Sequence, residues 1–386
     1  MKPLIRVFVL LLIFSCNLAD AREIAWQSAT TGGAIKGEVY LPKSETAAAA
    51  LPIVIFQTNL SSTSNGAKTD DAIIQELLGD GNIVLVLDYA HHEKAKSPFL
   101  AADSLKLRQD LTAKRPTLLA DDKIDPAQIY ILVEGYRLKR AVEFVHDGDR
   151  TLAMDIAYPA KPDKPVPVLM EITCDNQDRM GSGSLIFCRD TLLDVAQAEG
   201  FAVAMVDHPV KAPYKGLDDP MPQSLERMKA AVAKLREIKS EINATEKIGA
   251  IGFSRGAPFA AMLAGQGEVN AALVHGNRFD YGSLIENDPM LARFEKAWGK
   301  KSDNLDNWLK HGAVYYLTPK CAPMFLNTSN AESAEYQAGL ALLDGVLTKQ
   351  NVEHVYTVDQ DGRGHRVTME PSRMSEIYGF FAKKLK

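Results

Sequence analysis

The sequence is poor in cysteine, and this limits the scaffolds and sites that it can build. Only Cys174, Cys188 and Cys321 lie outside the first 21 of its 386 residues. Three thiols are too few for a disulfide-built scaffold or for a zinc site made of cysteines. A single Cys174–Cys188 bridge and three unpaired, buried side chains are both compatible with this pattern.

Two further absences exclude broad classes of partner. The chain has no block of basic residues and a formal net charge of −5, which argues against nucleic-acid binding. Its N-terminal apolar run, residues 7–14, is too short for a permanent transmembrane span. The remaining composition, 46% hydrophobic and 24% charged, is that of an ordinary soluble globular protein.

The first 21 residues have the pattern of a signal peptide. A positively charged start precedes the apolar run, and Ala19-Asp20-Ala21 offers a small-x-small cleavage site. We therefore expect an exported protein, periplasmic or secreted. The alternative is a lipoprotein anchored through Cys16, but Phe14 fits that cleavage pattern poorly.

An internal duplication is visible when the segments are aligned. Each copy is predicted to contain two strands, a polar loop, a helix and a strand that ends in aspartate. Three pairs of segments match: 38–42 with 155–159, 51–56 with 166–171, and 81–88 with 200–207. Strands that alternate with helices predict an α/β fold with a mostly parallel sheet and helices on both faces.

The order of the segments suggests a division of the mature chain. Residues 22–137 form an N-terminal α/β unit, and residues 138–386 form a complete strand–helix series. An excursion at 276–320 contains Trp298 and Trp308. These tryptophans are predicted either to line an apolar or sugar-stacking surface or to belong to the core. A helix is expected from Ser224 to Ile242, with Ser224 as its cap.

The strongest motif is Gly252-Phe253-Ser254-Arg255-Gly256. It follows an apolar run typical of a buried parallel strand and precedes a small-residue helix pattern. Strand, G-x-S-x-G and helix are the context of a nucleophile elbow, in which Ser254 is exposed on a sharp turn. The flanking glycines are expected to allow that turn and to leave room for a substrate.

A serine nucleophile needs a base and a group that orients the base. The predicted base is His365, in a glycine-containing loop between the last strand and the last helix. His208 and His275 each follow a predicted strand and could face the pocket, but packing or surface roles are favoured for both.

The acid is harder to assign, because no aspartate follows the strand at 324–326. Glu332 is closest to the expected spacing and is our choice. Asp280 and Glu335 remain alternative acids, and Asn330 could orient the base in their absence.

Catalysis by serine also needs two donors for the oxyanion. The backbone N–H of Arg255, directly after the nucleophile, is predicted to be one donor. The other is expected in the loop at 174–176, where we assign Asp175.

The order Ser254, Glu332, His365, together with the elbow and the histidine loop, resembles the α/β-hydrolase superfamily. Within it, residues 138–386 most resemble secreted bacterial esterases of the dienelactone-hydrolase and acetyl-xylan-esterase type. The resemblance implies an eight-stranded, mostly parallel sheet, an acyl-enzyme on serine, and neither metal nor cofactor. The chain departs from the pattern in its duplicated front unit and in lacking both a His-Gly oxyanion loop and an aspartate acid.

The expected function is therefore that of an exported serine hydrolase acting on carboxylic esters. Its partner would be a small-molecule or carbohydrate-linked ester. Two alternatives stay open at this point: a peptidase or amidase with the same triad, and a non-catalytic binding protein on a hydrolase scaffold.

Overall fold

The structure is a computed structural model, and most of the chain beyond the N-terminal 21 residues can be described from it. The described residues are 22–27, 34–41, 51–58, 71–80, 82–88, 124–133, 135–148, 150–172, 193–210, 221–284, 286, 288, 290–360, 362, 364–365 and 371–386.

The described residues contain thirteen strands and eight α-helices. The strands are β1 Arg22–Gln27, β2 Ala34–Tyr40, β3 Leu51–Thr58, β4 Ile83–Asp88, β5 Ile124–Val133, β6 Tyr136–Asp147, β7 Arg150–Pro159, β8 Val166–Ile172, β9 Ala202–Val206, β10 Ala244–Phe253, β11 Ala271–His275, β12 Met324–Ser329 and β13 His354–Asp359. The helices are α1 Asp71–Gly79, α2 Leu193–Ala198, α3 Met221–Glu237, α4 Ala257–Gly265, α5 Leu291–Trp298, α6 Leu305–His311, α7 Ala334–Lys349 and α8 Pro371–Leu385.

The strands form a five-stranded and an eight-stranded sheet. The larger sheet has the order β13-β12-β11-β10-β8-β9-β7-β6. Its neighbours from β13 to β9 are parallel, whereas β7 is antiparallel to both β9 and β6. Because β9, β11 and the second half of β10, Ile248–Phe253, lie inside this sheet, their side chains are buried on both faces and their sequences are almost continuously apolar. The predicted mostly parallel sheet is confirmed.

The smaller sheet repeats the topology of half of the larger one. Its order is β1-β2-β4-β3-β5, and the larger sheet contains the order β6-β7-β9-β8-β10. In both series the first two pairings are antiparallel and the last two are parallel. The partial repeat in the sequence therefore corresponds to a repeated arrangement of strands.

Two hydrophobic cores lie on opposite faces of the larger sheet. One contains α3, α4 and the buried side of α7. The other lies beneath α8 and includes residues of both sheets, such as Tyr130 and Leu132 from β5 and Ile251 and Leu273 from the larger sheet. The two sheets therefore share the core that lies beneath α8. The domain boundary at 137/138 stays a prediction; the strand β6 runs across it.

The helix predicted at 224–242 is shorter and lies earlier in the chain. The observed helix α3 covers Met221–Glu237, so Ser224 is a buried residue of its first turns and the prediction that it caps the helix is wrong. The chain leaves the helix through turns that end at Asn243, which has a left-handed φ of 51°. None of the helices among the described residues has the length and apolar character needed to cross a membrane.

Candidate active site

Ser254 lies on a tight turn between a buried strand and a buried helix. The strand β10 ends at Phe253, a 3₁₀ turn covers Ser254–Gly256, and α4 begins at Ala257. The φ of Ser254 is +48°, in the left-handed region that residues with a Cβ rarely occupy. Such a conformation costs roughly 1–3 kcal/mol and is commonly found at functional sites. The predicted strand–turn–helix context is therefore present.

The flanking glycines serve close packing rather than an unusual φ. A Cβ on Gly256, whose φ is an ordinary −74°, would lie 2.3 Å from the carbonyl oxygen of Ile172 in β8. A Cβ on Gly252 would lie 2.5 Å from the carbonyl oxygen of Gly256 and 2.8 Å from the Cβ of Ala260. The glycines thus let α4 lie directly against the strands. The expectation that they leave room for a substrate stays a prediction.

A continuous hydrogen-bonded chain links serine, histidine and glutamate. Ser254 Oγ lies 2.9 Å from His365 Nε2, and His365 Nδ1 lies 2.6 Å from Glu332 Oε2. The Glu332 side chain is only 1% exposed, and its other oxygen accepts the Ser333 backbone N–H at 2.7 Å. Because a carboxylate can only accept, Nδ1 carries the proton and Nε2 is left to accept from the serine hydroxyl.

The other candidate acids lie elsewhere. Asp280 accepts a hydrogen bond from the Gly282 backbone N–H at 2.8 Å. Glu335 forms an ion pair with Arg278. Of the three acids considered from the sequence, the structure therefore brings Glu332 to the histidine.

Asn330 forms hydrogen bonds with the loop that carries His365 rather than with its imidazole. Its Oδ1 accepts the Gly362 N–H at 3.0 Å, and its Nδ2 donates to Gln360 Oε1 at 3.3 Å. Ser329 Oγ accepts a third bond, from the Gly364 N–H at 3.3 Å. The end of β12 thereby fixes the loop that delivers His365.

Comparison with known proteins identifies the fold. No family model and no curated protein match the sequence. The acylaminoacyl peptidase of Pyrococcus horikoshii is 16% identical, with a TM-score of 0.53 over 65% of this chain and 42% of its own. The chain has the α/β-hydrolase fold.

Two further solved structures have a similar arrangement. Dipeptidyl peptidase 4 of Porphyromonas gingivalis is 14% identical, with a TM-score of 0.51 over 66% of this chain and 36% of its own. A bifunctional GH43-CE protein of Bacteroides eggerthii is 17% identical, with a TM-score of 0.52 over 64% of this chain and 38% of its own. The chain spans less than half the length of these three proteins.

In this α/β-hydrolase fold, Ser254 and His365 open onto a cavity of about 390 Å³. Its lining includes the apolar side chains of Val210, Met221 and Phe259. Cavities of this size bind small molecules, and a few fixed polar groups in their lining orient the bound molecule.

The excursion at 276–320 contributes residues to the lining of the cavity, but its tryptophans are not among them. Tyr281 and Phe294 are among its lining residues. Trp298 and Trp308 are 6% and 0% exposed and form an aromatic cluster with those two rings. Their assignment to the core is therefore confirmed, and the alternative of a sugar-stacking surface made by the tryptophans is wrong.

Arginines are prominent around the cavity. Its lining includes Arg255, Arg278 and Arg293. Arg278 bonds to Asp288 at 2.7 Å and to Glu335. Although burial opposes it, these bonds raise the pKa of the Arg278 guanidinium, so this side chain stays charged.

Tyr336 also lines the cavity and lies beside the proposed base. Its ring centroid is 5.0 Å from that of His365. Burial raises the pKa of the Tyr336 hydroxyl, which therefore stays neutral.

Of the two predicted oxyanion residues, Arg255 belongs to the described part of the chain. Arg255 lies in the 3₁₀ turn directly after Ser254, the position that the motif requires. Asp175 lies outside the described residues, as do Cys174 and Cys188, whereas Cys321 is a free thiol. Among the described residues there is no group of three side chains that could hold a metal ion.

Two further residues at the site, His208 and Asn277, belong to no sequence motif, and the structure places His208 at the cavity, the alternative that was not favoured. His208 lines the cavity and is fully buried; its Nδ1 accepts the Val210 N–H at 3.1 Å and its Nε2 lies 3.4 Å from the Arg255 carbonyl oxygen. Asn277 follows β11 and donates to the Ser254 carbonyl oxygen at 2.6 Å. The only sequence signal for either is its position just after a parallel strand, where α/β folds place their sites.

Proposed function

We propose that this protein is an exported serine hydrolase that cleaves carboxylic esters through an acyl-enzyme on Ser254. The supporting observation is the series of hydrogen bonds that links Ser254, His365 and Glu332. Ser254 Oγ lies 2.9 Å from His365 Nε2, His365 Nδ1 lies 2.6 Å from Glu332 Oε2, and Ser254 has the strained φ of the strand–helix turn. A serine held there, with a neutral imidazole nitrogen as its acceptor, has the geometry of an activated nucleophile.

The first half-reaction follows from this geometry. His365 Nε2 takes the Ser254 proton as Oγ attacks the ester carbonyl, and the buried Glu332 carboxylate stabilises the resulting imidazolium. The Arg255 N–H donates to the developing oxyanion, with Asp175 proposed to lie at the second donor position. His365 then returns its proton to the alcohol as the ester bond breaks.

The second half-reaction reverses these roles with water. His365 removes a proton from water, which attacks the acyl-enzyme carbonyl. Collapse of the second tetrahedral intermediate releases the carboxylic acid and restores the Ser254 hydroxyl.

The lining of the cavity favours an ester over a peptide with a free N-terminus. Glu335 is the only carboxylate that lines the cavity among the described residues, and it is paired with Arg278. A substrate ammonium group would therefore compete with a guanidinium for it. The same triad can cleave amides, and a peptidase or amidase is the second candidate, since two of the matched structures are named as peptidases.

A carbohydrate-linked ester is the finer proposal for the substrate. The rings of Tyr281, Phe294 and Tyr336 line the cavity and offer aromatic surface to a sugar. Export of the protein, based on the leader at residues 1–21, agrees with a substrate outside the cytoplasm.

Fluorophosphonate labelling tests the proposal directly. We expect the wild-type protein to be labelled, Ser254→Ala to be unlabelled, and the control Ser302→Ala, in the excursion, to be labelled at the wild-type rate. Turnover of p-nitrophenyl acetate compared with an aminoacyl anilide then separates esterase from amidase. If wild-type protein shows neither labelling nor turnover over a wide acyl panel, it is a non-catalytic hydrolase fold.

A further inference from the structure

The side chain of Asn277 bonds the backbone of the proposed nucleophile rather than its hydroxyl. Its Nδ2 donates to the Ser254 carbonyl oxygen at 2.6 Å. Its Oδ1 accepts the backbone N–H of Arg278 at 2.6 Å. Asn277 is 9% exposed. Both ends of the amide are therefore engaged, which fixes its orientation.

The Ser254 carbonyl belongs to the same peptide unit as the Arg255 N–H. That unit is planar and trans, so its C=O and N–H point in opposite directions. Any rotation of the carbonyl turns the N–H by the same angle. A donor that holds the Ser254 oxygen consequently sets the direction of the Arg255 N–H on the other side of the plane.

The local backbone needs such a restraint. Ser254 has a φ of +48°, which is unfavourable for a residue with a Cβ. The Ser254 carbonyl also accepts the Ala257 backbone N–H, at the start of α4. The Ser254 carbonyl oxygen therefore has two donors: the Ala257 N–H at the start of α4 and the Asn277 side chain just after β11. Hydrogen bonds to the carbonyl also polarise the amide and strengthen its N–H as a donor.

We propose that Asn277 is a positioning residue for oxyanion stabilisation, acting through the Ser254–Arg255 peptide. This rests on the proposed serine-hydrolase function. It assigns to the end of β11 a role distinct from those of nucleophile, base and acid. Asn277 touches no reacting atom in this role, and its effect is confined to the step in which negative charge develops.

Two variants test the role. Asn277→Asp keeps the acceptor for Arg278 but replaces the donor, and Asn277→Ala removes both. Loss of one oxyanion donor lowers kcat by about 10²–10³, and a misdirected donor should cost less, on the order of 10–10². We expect that fall in kcat in both variants, with KM within about threefold of wild type, since ground-state binding does not use the donor.

A boronic acid provides a readout that a purely structural role would not change. Phenylboronic acid forms a tetrahedral adduct with serine, and its affinity should fall in parallel with kcat. The control is Asn243→Asp, because the Asn243 amide likewise donates to backbone carbonyls, those of Pro159 and Ala160, but at the far end of β10. It should lower the melting temperature and leave kcat and boronate affinity unchanged.

The possible outcomes separate this inference from the proposed function. Wild-type protein without ester turnover or boronate binding would refute both. An active wild type with kcat within twofold in folded Asn277 variants would refute the positioning role alone. So would a fall in kcat with unchanged boronate affinity, or failure of both variants to fold, which would make Asn277 a structural residue.

Discussion

Replacing Glu332 by glutamine removes the negative charge from the acid position with little change in shape. The carboxylate is 1% exposed and lies 2.6 Å from His365 Nδ1, so it faces the imidazolium charge that forms during attack. Two unit charges about 4 Å apart interact by about 4 kcal/mol at an effective dielectric constant near 20. That loss corresponds to a factor of about 10³ in rate. His365 is 39% exposed, so solvent weakens the interaction, and we expect kcat to fall by about 10²–10³.

Steady-state ester hydrolysis measures this loss in kcat, and the rate of fluorophosphonate labelling measures the accompanying loss in serine reactivity. KM should change little, because the charge is needed in the transition state rather than for substrate binding. The matched control is Asp280→Asn, which neutralises the alternative acid that bonds Gly282, and it should change kcat by less than about threefold. A larger loss in Asp280→Asn than in Glu332→Gln would refute the assignment of the acid.

Two further predictions concern stability. A Cβ at Gly256 would meet the Ile172 carbonyl at 2.3 Å, so Gly256→Ala should lower the free energy of unfolding by about 3 kcal/mol or more and abolish turnover. Gly345→Ala, whose added Cβ would lie in open space on α7, should instead raise the free energy of unfolding by roughly 0.5–1 kcal/mol. Urea titrations measure both changes, and equal changes in the two variants would contradict the packing argument. Burial lowers the pKa of His275 from 6.5 to about 4, so only the unfolded chain gains a proton as the pH falls through that range. His275 should then lower stability by roughly 3 kcal/mol between those pH values, and His275→Gln should remove this contribution while leaving that of His311, whose pKa burial also lowers.

The fold and two of the three site residues were predictable from local patterns. Ser254 has a motif with the correct element on each side, and His365 has a glycine-containing loop between the last strand and the last helix. The acid has no such pattern. Glu332, Asp280 and Glu335 all follow strands of one parallel sheet, and spacing alone leaves all three open. What separates them is the path of the turn after β12, which directs Glu332 inward and leaves Glu335 to pair with Arg278.

The features that the sequence left open depend on backbone contacts or on tertiary packing. Asn277 bonds a carbonyl, an acceptor that every residue carries, so no residue type at position 254 indicates the contact. Trp298 and Trp308 could equally have lined a cavity or filled a core. Their burial depends on how α5 and α6 fold back on each other, with Trp308 Nε1 donating to the Gly299 carbonyl at 3.0 Å.

The connection after the last strand differs between the two copies, and this explains why, among the described residues, the second copy has the strand–turn–helix that holds the proposed nucleophile. In the second copy, β10 continues through Ser254 into α4. In the first, the equivalent strand β5 ends at Val133, and after Gly135, with a φ of +81°, the chain enters β6 at Tyr136. A strand that leads into another strand offers no helix start and hence no elbow. This connection instead joins the copies: Tyr136 donates its hydroxyl to the Gln197 carbonyl oxygen at 2.8 Å, and the Val133 N–H donates to the Gln197 side chain at 3.0 Å. The first unit therefore supports the face of the sheet opposite α4, and the chemistry proposed for this chain belongs to the second.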